Sequence, residues 1–173
     1  DKKGQTITLD DLPGIWGGWR HQFDAKGRVS IPAQVRRIFL EQNQSAPTLN
    51  LNGEITRSWC VLSFVSPNEP AVIMSGAAWL RLTSRQRQQY IISCCLTIDM
   101  MGRILINAEQ RRWLCGTADT PNRYIFFSQR NPGPHLLVCD ATRWDAEFAR
   151  SSPAPTVAEN LAVPVATTTT GQA

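Results

Sequence analysis

Two short strings, Asp24-Ala25-Lys26-Gly27-Arg28 and Asp99-Met100-Met101-Gly102-Arg103, repeat an acid, a glycine and an arginine at one spacing within 173 residues. An arginine leaving a glycine turn presents a rigid five-donor fork, which suits phosphate oxygens and guanine edges. Asp24 and Asp99 head their turns, where a carboxylate accepts hydrogen bonds from following amides, and Gly27 and Gly102 supply the positive φ of a tight reversal. Acid–base work by the two aspartates is the competing use, but neither motif carries a histidine or a nucleophile. With no GxSxG, Walker loop, HExxH or clustered His/Cys/Glu set, an enzyme ranks last among the functional classes.

The elements that position these residues are themselves repeated. Residues 23–39 read FDAKGRVSIPAQVRRIF and residues 98–114 read IDMMGRILINAEQRRWL. Asp99 follows Asp24 by 75 positions, and the same spacing relates Gly27 to Gly102, Arg28 to Arg103, Ile31 to Ile106, Arg36 to Arg111 and Arg37 to Arg112. Carried on without a gap, it sets Leu49 and Leu51 against Tyr124 and Phe126. A duplication is inferred. Before each turn, apolar residues alternate (Trp19, His21, Phe23; Cys94, Leu96, Ile98), as in a half-buried strand. A second strand follows with Val29 and Ile31, or Ile104 and Ile106, inward, which sends Arg28 and Arg103 outward.

Pro32 opens a short helix whose apolar face is Val35, Ile38 and Phe39. Asn107 caps its copy and Gly116 ends it. Further strands are expected at 48–52 with 59–64, and at 123–128 with 135–139. The expected fold is mostly β with short helices (α+β), its two copies forming one pseudo-symmetric barrel-like unit. The expected organisation is an extension at 1–14, a first repeat at 15–66, a helical linker at 67–91, a second repeat at 92–148 and a disordered tail at 149–173. Arg81 and Arg85 share one helical face in the linker, read as solvated.

Fifteen arginines and three lysines outweigh 14 acids to give +4. That balance agrees with a nucleic-acid partner without demanding one. Five cysteines, with no CxxC and only His21 and His135 to join them, point to reduced thiols rather than a metal site or a disulfide framework. No metal and no cofactor are expected. No apolar run approaches the ~20 residues of a membrane span, so a cytoplasmic chain is expected. His21 aligns with Leu96, an inward position, and reads as structural. Arg36, Arg37, Arg111 and Arg112 read as outward-facing, towards phosphate, a neighbouring subunit or solvent.

HQFDAKGRVSIPAQVRR resembles the first repeat of the MraZ family of the SpoVT/AbrB swapped-hairpin superfamily. MGRILINAEQRR and a closing DATRW extend the resemblance over roughly residues 15–148. It implies two tandem AbrB-like swapped hairpins in a nucleoid-associated, sequence-specific transcriptional repressor of the division and cell-wall gene cluster. It also implies a homo-oligomeric ring on double-stranded DNA carrying tandem promoter repeats. By position, the DNA-binding residues would be Lys26, Gly27, Arg28 and Arg103, with Asp24, Asp99 and Gly102 structuring the turns. The chain departs from the family's usual start at Ile15-Trp16-Gly17, and its second turn carries Met100-Met101 in place of polar residues. An antitoxin-like or protein-interaction module of the AbrB fold with weak or lost DNA binding is the alternative.

Overall fold

The computed structural model describes residues 18–67, 69–128 and 135–151. The extension at 1–14, Trp16 and the tail beyond Ser151 lie outside the described residues. In chain order the elements are β1 (Gly18–Gln22), β2 (Arg28–Ser30), α1 (Ala33–Gln42), β3 (Thr48–Leu49), β4 (Ile55–Thr56), β5 (Trp59–Phe64) and β6 (Ala71–Ser75). There follow α2 (Gly76–Arg81), α3 (Ser84–Arg87), β7 (Ile92–Thr97), β8 (Arg103–Leu105), α4 (Ala108–Cys115), β9 (Tyr124–Ser128), β10 (His135–Asp140) and α5 (Ala141–Ser151).

The fold is α+β and strand-rich. Six strands form an antiparallel sheet in the order β1-β9-β10-β6-β5-β7, β2 and β8 form a separate ribbon, and β3 and β4 a small hairpin. The barrel-like closure expected from the sequence is not made. β1 and β7 end the sheet, and no ladder joins them to the ribbon. Between its flanking strands each DxxGR turn makes one backbone bond, at its base: Asp24 N–H to Arg28 O, and Asp99 N–H to Arg103 O. Beyond that bond the three-residue strands β2 and β8 pair with each other instead.

The register makes the duplication geometric. In the ribbon Val29 stands opposite Ile104, its own equivalent 75 positions on. In the sheet Leu62 pairs with Ile73 and Phe127 with Val138, which are the same pairing 65 positions apart. β6 meets β10 with Val72 opposite Leu137, again 65 apart. A pseudo-two-fold axis therefore runs through the ribbon and the centre of the sheet. It exchanges β1 on β9 with β7 on β5, so each first strand pairs within the other copy.

The change of spacing from 75 to 65 corrects the ungapped alignment. The strand expected at 48–52 does not pair with 59–64; Thr48–Leu49 pairs with Ile55–Thr56. Leu49 and Leu51, set against Tyr124 and Phe126 in the sequence, are 62% and 97% exposed. About ten residues are inserted here in the first copy, and β5 is the true counterpart of β9. The linker at 67–91 is likewise not simply helical. It contributes the central strand β6, and its helix breaks at Leu82–Thr83, where Thr83 caps α3. The tail assigned to 149–173 begins inside α5.

Local chemistry explains the helices. Asn107 accepts from the Gln110 amide while the Gln110 side chain accepts from Asn107 N–H, a reciprocal cap, and Gly116 closes α4 at φ 73°. Ser75 caps α2 through the Ala78 amide, and Asp140, its equivalent, takes the amides of Thr142 and Arg143. One core unites the copies: Val29, Ile31 and Phe39 pack in the same cluster as Ile104, Ile106, Leu114 and Phe127. At roughly 1.5–3 kcal/mol per buried side chain, this shared interior is what neither copy owns alone.

Candidate nucleic-acid interface

The two turns are built alike, and their aspartates do the building. Asp24 Oδ1 accepts from the amides of Lys26 and Arg28, each at 2.9 Å, and Oδ2 accepts from Arg28 Nε at 2.6 Å. Asp99 Oδ1 accepts from Met101 and Arg103, each at 2.9 Å, and Oδ2 from Arg103 Nε at 2.9 Å. Burial raises both carboxyl groups, but the amide and guanidinium hydrogen bonds outweigh it and hold both below the usual aspartate value. Gly27 and Gly102 sit at φ 78° and 79°, the region that an L side chain strains to reach.

Gly27 and Gly102 are buried, and an arginine lies on each. The guanidinium of Arg111 occupies the space a Cβ on Gly27 would fill, and Arg36 does the same over Gly102. Arg111 is fixed there by donating through Nη1 to Ile106 O and through Nε to Ala118 O at 2.8 Å. Each turn is also tied to the opposite copy by its glycine carbonyl. Gly27 O accepts from Ile106 N–H and Gly102 O from Ile31 N–H. This corrects one expectation: Arg36 and Arg111 do not face outward but clasp the other copy's turn. What approaches Gly27 is an arginine of the same chain. Arg37, on the outer face, is exposed and lies 4.0 Å from Glu41.

The ribbon places both turn arginines on one surface. Val29 and Ile104 point into the core, so Arg28, Ser30, Arg103 and Leu105 share the outer face. Arg28 and Arg103 are half-buried, whereas Lys26 is exposed and pairs with no carboxylate among the described residues. The two turns also differ in their ion pairs. Arg103 reaches both aspartates, Asp99 at 2.9 Å and Asp24 at 3.8 Å, while Arg28 is paired with Asp24 alone. Three cations against two carboxylates leave this face with one net positive charge. Met100 and Met101 stand exposed beside it.

The remaining candidates are structural. His21 Nδ1 donates to Ser30 O at 2.6 Å, joining β1 to β2, and its ring meets Phe127 edge-on. Burial raises the Cys60 thiol, and burial with the neighbouring Asp140 pushes Cys115 up to about 12, so neither supplies a thiolate. No group of three potential metal ligands occurs among the described residues, and no helix there is long and apolar enough to cross a membrane.

Sequence reasoning missed the arginine clasp and an open groove of about 520 Å³ between the β3–β4 hairpin and the second turn. Leu51, Met100 and Leu105 line that groove together with Arg28 and Arg103. The clasp left no sequence signal beyond the spacing of Arg36 and Arg111. The groove had one, the ten-residue excess of the first copy. No protein-family model matches this chain, and no curated protein matches it.

Proposed function

We propose that this chain is a sequence-specific DNA-binding transcriptional regulator, a repressor of the MraZ type assembled from two tandem swapped-hairpin units. The observation that carries the reading is the shared outer face of the ribbon, where two pre-formed DxxGR turns present Arg28 and Arg103 beside Lys26. A rigid turn held by its own aspartate loses little conformational freedom on meeting DNA, which favours tight contact. In this reading Arg28 reads a base edge or phosphate, Lys26 neutralises a phosphate, and Arg103 contributes less because Asp24 and Asp99 both engage it. The chain works in the cytoplasm on the nucleoid as a homo-oligomeric ring, over tandem direct repeats in promoter DNA.

A gel shift over a salt series tests it. Binding should weaken steeply, with log K falling by ~0.9 per phosphate contacted for each tenfold rise in salt. A salt-insensitive or absent shift would refute the reading. One observation favours a second reading, a protein-interaction module: Met100 and Met101 stand exposed where polar residues would suit DNA better.

A further inference from the structure

β7 ends the six-stranded sheet, and among the described residues no strand pairs along its outer side. The register fixes which backbone groups that side offers. Thr97 faces Trp59, and one step on Ile98 N–H donates to Ser58 O, so the bonds to β5 recur at Leu96, Cys94 and Ile92. The N–H and C=O groups of Ser93, Cys95 and Thr97 therefore point away from the sheet. An open edge is ordinarily guarded by charge, proline or a covering element. β1, the other edge, carries Arg20, ion-paired with Asp145. β7 reads Ile-Ser-Cys-Cys-Leu-Thr, six residues with neither charge nor proline.

The side chains along that edge are unfinished as well. Ile92, Cys94 and Leu96 lie on the core side, opposite Phe64, Leu62 and Cys60, yet each is only half-buried. Beside them a slot of about 160 Å³ opens between β7 and α4, lined by Phe64, Ile92, Cys94 and Trp113. A strand laid on β7 sets an apolar side chain at that slot, with backbone bonds supplying affinity and the slot supplying selectivity.

We propose that this strand is β7 of a second copy of the chain, the two pairing antiparallel about a two-fold axis at Cys95. Self-complementarity selects the occupant. With Cys95 opposite the partner's Cys95, Ser93 stands opposite the partner's Thr97, and every outward backbone group is paired. An axis at Cys94 would instead set Thr97 against Ile91, whose N–H is already given to Phe64 O. The Cys95 register also places the partner's Leu96 opposite Cys94, at the slot, and the two-fold repeats that contact in the other direction. The strand thus carries both the slot and the side chain that fills it, and its uncharged edge offers nothing to select a charged partner. The pairing does not depend on DNA binding. Being closed on itself, it cannot extend a head-to-tail ring; it joins two chains, or two rings.

Sedimentation of the full chain tests it. Cys95→Lys sets like charges opposite each other at the axis and should halve the sedimenting mass, whatever larger assembly forms, whereas Cys95→Ser should retain it. Circular dichroism should show both variants folded, because Cys95 is exposed. A second measurement is independent of the lysine. Under diamide, which takes up the two electrons and two protons of each thiol pair, wild type should cross-link through Cys95. The Cα atoms of such a pair lie ~5.5 Å apart, within disulfide reach. The cross-link should persist in Cys94→Ser and vanish in Cys95→Ser. A wild type that sediments as a monomer, or an unchanged mass in a folded Cys95→Lys, would overturn the pairing. So would a cross-link that is absent or that runs through Cys94.

Discussion

The guanidinium of Arg111 stands where a side chain on Gly27 would begin, although the two residues belong to different copies of the duplicated unit. A methyl group at Gly27 must therefore both adopt φ 78° and displace Arg111. Gly53 has the same φ with nothing within 4 Å, so Gly53→Ala isolates the backbone cost, about 1–2 kcal/mol. Gly27→Ala should cost roughly twice that or more, read as urea midpoints with unchanged m-values. Equal midpoints for the two variants would contradict the clasp.

Acid should loosen the turns. Asp24 and Asp99 titrate below their ordinary value in the folded chain, so their contribution is fully present above the unfolded aspartate value near 3.8. It declines as pH falls through the lower folded values. Urea midpoints measured from pH 5 to pH 2 should drop for wild type in that acid window. The double variant Asp24→Asn/Asp99→Asn should start lower and fall less. Parallel curves would mean that these carboxylates do not couple folding to protons.

Half of the chain should not make half of the structure. A fragment ending at residue 90 holds β1 but not its partner β9, and β5 but not its partner β7. In sedimentation and circular dichroism it should be unfolded, or a dimer in which two fragments exchange first strands. A folded monomer would be the contrary result.

The turn arginines should rank unequally on DNA. A lost base contact is worth ~1–3 kcal/mol, and Arg28→Ala should lie at the upper part of that range. Arg103→Ala should lie at the lower part, because its guanidinium is already shared between Asp99 and Asp24. Lys26→Ala should chiefly flatten the salt dependence, by ~0.9 for one phosphate. Fluorescence anisotropy at several salt concentrations would report all three. A larger loss at Arg103 would reverse the assignment.

The turns and their helices were legible because their signals are local. Aspartate, glycine, cap and apolar face each act within a few residues, so the 75-residue spacing exposed both copies. The sheet was not legible in the same way. β5 and β9 carry buried apolar runs that each take one partner, β7 and β1, from the other copy, and the inserted hairpin shifted the spacing just before β5. One signal was available, since Trp79 and Trp144 lie 65 apart just after the capping residues Ser75 and Asp140. The arginine clasp was hidden for another reason. A helical position with arginine reads as solvated, and only a close approach between copies reveals an inward one.

The exchange of first strands has a consequence for how the chain is made. Arg20 pairs with Phe126, 106 positions later, and among the described residues β1 has no other strand ladder. At roughly 5–20 residues per second, synthesis leaves that strand waiting about 5–20 s for its partner to be added. Pairing across such separations is slow to nucleate, and an open strand edge invites association with other nascent chains. Trp19, which packs against the finished core, waits on that strand for the same interval. The vulnerable period of this protein falls during translation, before the second copy exists to receive the first.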